Sequence, residues 1–293
     1  MSSGCIVAID QGTTNTKALM VGRDGEPVFR TSVPVGISSP QPGWVEQDAN
    51  ALWNSVVAVV NQCLKWGVQH DMTVEGVAIS NQRETIVAWE RATGIPVAPA
   101  ILWQCRRSTA LCNQLRAQGK EQFLRERTGL GIDPLYSASK IHWLLENVPG
   151  LRKQASAGEI CFGTVDSWLI FKLTQGTVYA CDVSNASRTQ LLNLQSAAWD
   201  PDLIALFAVP CCALPAVKSS SHIFGICSGI NGLAKVPIVS AIGDSHAAMA
   251  GQGCFLPGAV KATYGTGSSL MTLLPGLPQK NAESRLATTV AWG

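Results

Sequence analysis

The sequence predicts an α/β protein. Three observations carry that expectation. Apolar runs of strand length alternate with segments of helical periodicity, and polar turns sit at the ends of those runs. Two hairpins also share a Gly-Thr tip, Gly12-Thr13-Thr14 and Gly265-Thr266-Gly267, far apart in the chain.

The elements follow in order. Cys5–Asp10 and Lys17–Val21 read as strands around the first polar turn, with a second turn at Arg23-Asp24-Gly25. Pro27–Val35 continues the meander. A Pro/Gly loop ends at the capping candidate Asp48, and from Ala49 to Trp66 the residues Leu52, Val56, Val57, Val60, Cys63 and Leu64 recur at helical spacing. "VEGVAIS" is a short buried-type strand that ends at Asn81-Gln82-Arg83-Glu84, and "TIVAWE" and "ATGIPVAPAILWQ" read as further strands. Helices are expected over Arg106–Gln118, Lys120–Arg127, Ala138–Asn147 and Asp166–Leu173, with "DVSNASRT" as a Ser/Asn-rich loop. "VPIVSAIGD" is an apolar strand that ends in Gly243-Asp244, and "HAAMAGQG" is helical. "AVKATYGTGSSLMTLL" is the second hairpin, and "RLATTVAWG" reads as a last strand.

Composition narrows the function. The 293 residues are 46% hydrophobic and 14% charged, enough apolar side chain to bury a large core and too much for disorder. A net charge of +2 gives no electrostatic footprint for nucleic acid or an anionic membrane. The longest apolar runs are strand-sized, so no transmembrane helix is expected. No secretory signal pattern opens the chain, and cytoplasm is the expected compartment. The ten cysteines form no Cys-x-x-Cys pair, and the four histidines complete no zinc pattern. They are expected to be reduced and mostly buried.

The turn Asp10-Gln11-Gly12-Thr13-Thr14-Asn15-Thr16-Lys17 is longer than a hairpin needs. Successive backbone N–H groups in such a turn form a concave anion site, to which small hydroxyl residues add donors. Lys17 adds a positive charge, and Asp10 is placed to hold Mg²⁺ through water beside a phosphate. The pattern is neither a Walker A loop nor a G-x-G-x-x-G fingerprint. Gly, Thr and Asn are also ordinary at an empty hairpin tip, so the residues leave both readings open. The second Gly-Thr-Gly turn favours phosphate, because two facing turns can clamp one polyphosphate.

Seven stretches together resemble the FGGY carbohydrate kinases, the glycerol kinase branch most closely. They are "AIDQGTTNTKALM", "QPGWVEQDANALW", "ISNQRETIVAWERATGIPVAPAILWQCRR", "GTVDSWLIFKLTQG", "SNASRT", "GDSHAA" and "YGTG". Each is weak alone; in this order, over nearly the whole chain, they are specific. The resemblance implies an actin/hexokinase-like (ribonuclease H-like) fold with two related domains around a cleft. The first domain would be complete over 1–236, and 237–293 would begin a truncated second domain that carries the ATP site.

The resemblance also assigns roles. A polyol or sugar hydroxyl would attack the γ-phosphate of ATP bound with Mg²⁺, and Asp244 would accept the hydroxyl proton. Asp10 would help hold the metal. Gly12, Thr13, Thr14, Asn15 and Lys17 on one side, and Gly265, Thr266 and Gly267 across the cleft, would hold the nucleotide phosphates. Arg83 and Glu84 match a substrate-gripping pair, one donating and one accepting toward neighbouring hydroxyls. Trp103 matches an aromatic wall, and Ser245 and His246 fall in the substrate pocket beside Asp244. Each has an ordinary alternative: a strand-end turn for Asp244, an exposed ion pair for Arg83-Glu84, core packing for Trp103, a structural role for His246.

Departures bear on the substrate. Leu135 stands where glycerol kinases have tyrosine, Ser245 where glutamine is common, Ser268-Ser269 where an aromatic is expected, and Lys17 where arginine is frequent. Lost hydrogen-bond partners shift specificity strongly. "Asp-Ser-His-Ala" resembles ribulokinase-type members, so a tetritol, pentitol or ketopentose stands beside glycerol as the expected substrate. A phosphatase or ATPase of the same superfold and a catalytically silent sugar binder are the rival classes. A homodimer is carried over from the family. If the native chain ends at Gly293, weak sugar binding with little turnover is expected.

Overall fold

The computed structural model describes residues 3–264, 269–276 and 286–293. The opening meander forms as expected. β1 (Ser3–Gln11) and β2 (Asn15–Gly22) pair antiparallel with Asp10 opposite Lys17, and β3 (Pro27–Pro34) pairs antiparallel with β2. Cys5, Val7 and Ile9 of β1 and Ala18 and Met20 of β2 are buried at alternate positions, the period of a strand with one face on the core.

A helix, Ala49–Gln69, covers that face with Leu52, Val56, Val59, Val60 and Cys63, and runs three residues past the expected end at Trp66. Its first turn is closed by Asp48, whose carboxylate accepts from the N–H of Asn50 at 2.8 Å. Asp48→Ala should lower stability by about 1 kcal/mol, the usual worth of such a cap. Chemical denaturation would show it as a lower midpoint at unchanged slope.

The chain then enters the sheet as β4 (Met72–Asn81) and returns late as β5 (Ser221–Ile226) and β6 (Pro237–Gly243). The six-stranded order is β5-β6-β4-β1-β2-β3, with β1, β4 and β6 mutually parallel and the outer strands antiparallel. β6, placed by the sequence reading at the start of the second unit, is thus hydrogen-bonded to β4 of the first. A second layer surrounds the ribbon of Val87–Glu90 with Ile160–Gly163, where Ile86, Ile101, Leu115, Leu124, Ile141, Leu144, Phe162 and Phe207 form a separate core. Every residue of the helix Val165–Leu173 except Lys172 is buried, and its Trp168, Leu169 and Ile170 join the first core.

Helices over Thr109–Ala117, Glu121–Thr128, Ser137–Asn147 and Asp244–Gly251 lie close to their expected places. Three expectations need correction. "DVSNASRT" is not a plain loop: Val183–Ala186 is a short helix, capped by Asp182 and fully buried. Residues 286–293 form no strand; Thr288 N–H donates to Gly129 O, and Gly293 O accepts from Ser221 N–H. Of "ATGIPVAPAILWQ" only Ala100–Ile101 is a strand, because its prolines remove ladder donors. The second hairpin pairs Val260–Thr263 with Ser269–Thr272. Its tip, with Gly265, Thr266, Gly267 and Ser268, lies outside the described residues. Among the described residues no helix is long and apolar enough to cross a membrane. All ten cysteines are free, and only Cys211 and Cys212 are exposed.

Candidate active site

The carboxyl ends of the three parallel strands are level. Gln11 stands opposite Asn81, and Asn81 opposite Gly243. Three segments therefore rise from one edge: the 12–14 turn after β1, residues 82–84 after β4, and Asp244 after β6. Parallel sheets place ligands at this edge.

The first turn is held from below. Gly12 N–H donates to Asn15 O at 3.0 Å and closes it. Its carbonyls all turn into the protein. Gly12 O accepts from Gln11 Nε2 (2.8 Å), Thr13 O from Gln47 Nε2 (2.7 Å) and Thr14 O from Val35 N–H (2.9 Å). In a trans peptide each carbonyl opposes the next residue's N–H, so the amides of Thr13 and Thr14 are turned outward. That is the geometry of an anion cradle. Buried Gln82 ties the arrangement together, donating to Gln11 Oε1 at 3.1 Å and Gln47 Oε1 at 3.0 Å. Trp103, half-buried, donates its indole N–H to Thr13 Oγ1 at 3.0 Å. The residue expected as an aromatic wall and the turn expected to hold phosphate are thus joined. The sequence reading missed Gln11, Gln47 and Gln82 as site residues; Gln11 and Gln82 follow apolar runs, and Gln47 had no local signal beyond its place in "QPGWVEQD".

Asp10 is half-buried at the end of β1, where Ser80 Oγ donates to Oδ1 at 3.2 Å and Lys17 Nζ lies 3.7 Å from Oδ2. Asp244 opens its helix with Oδ1 accepting the Ser245 N–H at 2.6 Å, and Arg83 Nε lies 3.3 Å from the same oxygen. Burial pushes the Asp244 carboxyl above the usual carboxylate range. Arg83 and the Ser245 amide pull against that rise, while Glu84 and Asp10 add to it. Gly243 precedes Asp244 for a packing reason: a Cβ there would meet Arg83 Cδ at 2.7 Å. Among the described residues no three His, Cys, Asp or Glu side chains cluster as a metal cage. One or two carboxylates supplemented by phosphate oxygens are, however, the donor set Mg²⁺ accepts.

Glu84 is buried with a left-handed backbone, φ +62°. Its Oε1 accepts from Arg188 Nε at 2.6 Å, and the Arg188 guanidinium lies 5.1 Å from the Tyr136 ring centroid. Burial raises the Glu84 carboxyl, but Arg188, Arg83 and Lys140 together hold it below the usual range. His246 is fully buried, and neither ring nitrogen has a hydrogen-bond partner. Burial, then the charges of Arg83, Arg188 and Lys261, keep it well below the usual histidine range and hence neutral. Ser245 is half-buried beside them.

The "SNASRT" stretch supplies the frame. Asp182 accepts from the N–H groups of Ser184 and Asn185, from Asn185 Nδ2 (2.7 Å) and from Ser220 Oγ (2.7 Å). Asn185 exchanges two 3.0 Å amide bonds with Asn81 at the end of β4. Ser184 Oγ accepts the Gly243 N–H at 2.9 Å at the end of β6. One buried carboxylate therefore anchors both strand ends, the one before Arg83 and the one before Asp244. Arg188 completes the stretch by clamping Glu84.

A family profile described as the FGGY family of carbohydrate kinases, N-terminal domain, matches residues 5–251. The chain belongs to the FGGY family. Among its FGGY relatives, the glycerol kinase of Rhodospirillum rubrum is 46% identical over 290 residues, 98% of this chain and 58% of that protein. The apulose kinase of Pectobacterium atrosepticum is 46% identical over 295 residues, 100% of this chain and 59% of that protein. The structure of Plasmodium falciparum glycerol kinase with ADP superposes with TM-score 0.88 at 32% identity, over 92% of this chain and 54% of that one. The actin/hexokinase-like fold expected from the sequence is thus the fold of this FGGY chain. It spans less than two thirds of the length of the curated relatives it matches.

Proposed function

We propose that this chain forms the hydroxyl-binding and phosphate-facing half of an ATP-dependent kinase that phosphorylates a polyol or sugar. The observation that carries the reading is the level edge of β1, β4 and β6. It sets the 12–14 amide cradle, the Arg83-Glu84 pair and Asp244 side by side. In this reading Asp244 accepts the proton of the attacking hydroxyl, and Arg83 orients its carboxylate. Arg83 and Glu84 take two substrate hydroxyls, one as donor and one as acceptor, and Trp103 walls the carbon skeleton. Thr13, Thr14 and Asn15 receive phosphate oxygens with Lys17 at the rim, and Gly265, Thr266 and Gly267 are assigned the facing side. Bound MgATP would supply the phosphoryl group and neutralise its charge, with Asp10 the residue that holds the ion through water. The first unit is taken to extend through the Asp244–Gly251 helix, a homodimer is carried over from the family, and cytoplasm stays the compartment expected from the sequence.

A second reading of the substrate is favoured by Leu135 and Ser245. With no phenol at 135 and no amide at 245, the pocket offers fewer hydrogen bonds and more room, which suits a tetritol, pentitol or ketopentose. The apulose kinase relative is in keeping with it. A thermal-shift panel decides between them, because stabilisation follows affinity for the native state without turnover. The panel is glycerol, erythritol, the pentitols, ribulose and xylulose, each with and without MgATP. A shift with glycerol alone supports glycerol as the polyol, and a shift with a larger polyol or ketose supports the second reading. No shift with any of them, from the protein at its natural length, would overturn both.

A further inference from the structure

Lys140 carries no role in the proposed reaction, yet it holds an ionisable group in the interior. It lies in the first turn of the Ser137–Asn147 helix and is fully buried. Its ammonium is satisfied by backbone carbonyls: it donates to Glu84 O at 3.2 Å and to Leu135 O. Ser137 Oγ donates to the same Glu84 O at 3.0 Å. Burying an ammonium is expensive, and a methionine would fill the same volume without that penalty. What only the ammonium provides is a donor that joins two chain segments at one point.

Those segments are the strand-end turn that presents Arg83 and Glu84 and the loop that presents Leu135. Glu84 is in the left-handed region that a non-glycine residue occupies only when its surroundings hold it there. The two donors on its carbonyl fix the peptide, and Arg188 fixes the carboxylate at the other end. We infer that Lys140 is a positioning residue for substrate: it locks the Glu84 backbone against the 135 loop and so sets where the Glu84 carboxylate meets a polyol hydroxyl. This rests on the reading of Arg83-Glu84 as the substrate grip.

A pH signature accompanies the geometry. Burial lowers the Lys140 ammonium to about 7, against the attraction of Glu84, Cys105, Asp133 and Cys112, the groups that face it. Protonated Lys140 stabilises the Glu84 carboxylate, so affinity for the polyol is highest below that value and falls as the ammonium deprotonates.

The test uses the protein at its natural length with the polyol it phosphorylates best. Lys140→Met should raise KM for the polyol about tenfold, the loss of a charge-assisted hydrogen bond, with KM for ATP within about twofold of wild type. The variant should also flatten the wild-type rise of the polyol KM between about pH 6 and 8. A folded variant with unchanged polyol KM and pH profile, or with both KM values raised alike, would overturn the assignment. If Lys140→Met does not fold, the wild-type profile decides: a polyol KM flat across that range overturns it. Wild type that phosphorylates no polyol or sugar would instead overturn the proposed function, and the Lys140 role with it.

Discussion

Asp244→Asn should lower phosphoryl transfer by roughly 10²–10⁴-fold, the range lost with a positioned general base, and leave polyol binding intact. Asparagine keeps the shape of the side chain and an oxygen for the Ser245 N–H, so only the charge and the basicity leave. The substitution should not destabilise the protein. The Asp244 carboxyl titrates above its ordinary range, mainly through burial, so the folded state binds a proton more tightly than the unfolded chain does. Stability from this group is therefore present at low pH and declines as pH rises through the shifted value, which makes the ionised form a cost at neutral pH. Turnover runs the other way, increasing as pH rises and the base ionises. Calorimetric titration with the polyol, beside steady-state rates, checks both parts. Near-normal turnover in the variant would remove Asp244 as the base.

Arg188→Met should cost about 3–5 kcal/mol of stability, because it leaves the Glu84 carboxylate buried without its closest partner. Arg188 Nε and Glu84 Oε1 are 2.6 Å apart, with side chains 9% and 6% exposed, so solvent cannot take over the charge. The pH dependence has a definite sign. Burial raises the Glu84 carboxyl, but the cations around it lower the net value. Its stabilising contribution is thus complete above the unfolded carboxylate range and is lost as pH falls through the folded value. Urea denaturation at neutral and mildly acid pH would test it, with the deficit of the variant shrinking as Glu84 protonates. A deficit below about 1 kcal/mol would mark the pair as solvent-screened. Adding Glu84→Gln to Arg188→Met should restore part of the loss, which a double-mutant cycle would read as coupling.

The parts of the site that sit on strand ends were legible in the sequence. Asp10, Arg83 and Asp244 each follow an apolar run that stops abruptly at polar residues, and the structure brings those three stops to one edge. The meander and the Asp48-capped helix were legible for the same reason, since period and cap are local signals. The interior polar frame was not. Gln11, Gln47 and Gln82 look like ordinary solvent-facing amides until the tertiary fold buries them against one another. "SNASRT" was expected as a loop because Ser and Asn favour turns, whereas its side chains are consumed by Asp182, Asn81, Gly243 and Glu84. Residues 286–293 show the converse error: an apolar stretch read as a strand, it meets Gly129 and Ser221 through single backbone bonds and forms no ladder. His246, placed by the resemblance in the substrate pocket with a structural role as its alternative, lies beside Asp244 and is buried with both ring nitrogens unpartnered.

The most direct test of the central claim is mass-spectrometric detection of a phosphate ester. The protein at its natural length is incubated with MgATP and each of glycerol, erythritol, the pentitols, ribulose and xylulose, beside its Asp244→Asn variant. The account predicts one ADP released per phosphorylated polyol or sugar by wild type, and little or none by the variant. ADP release without a sugar or polyol phosphate, or an ester formed equally well by the variant, would contradict it.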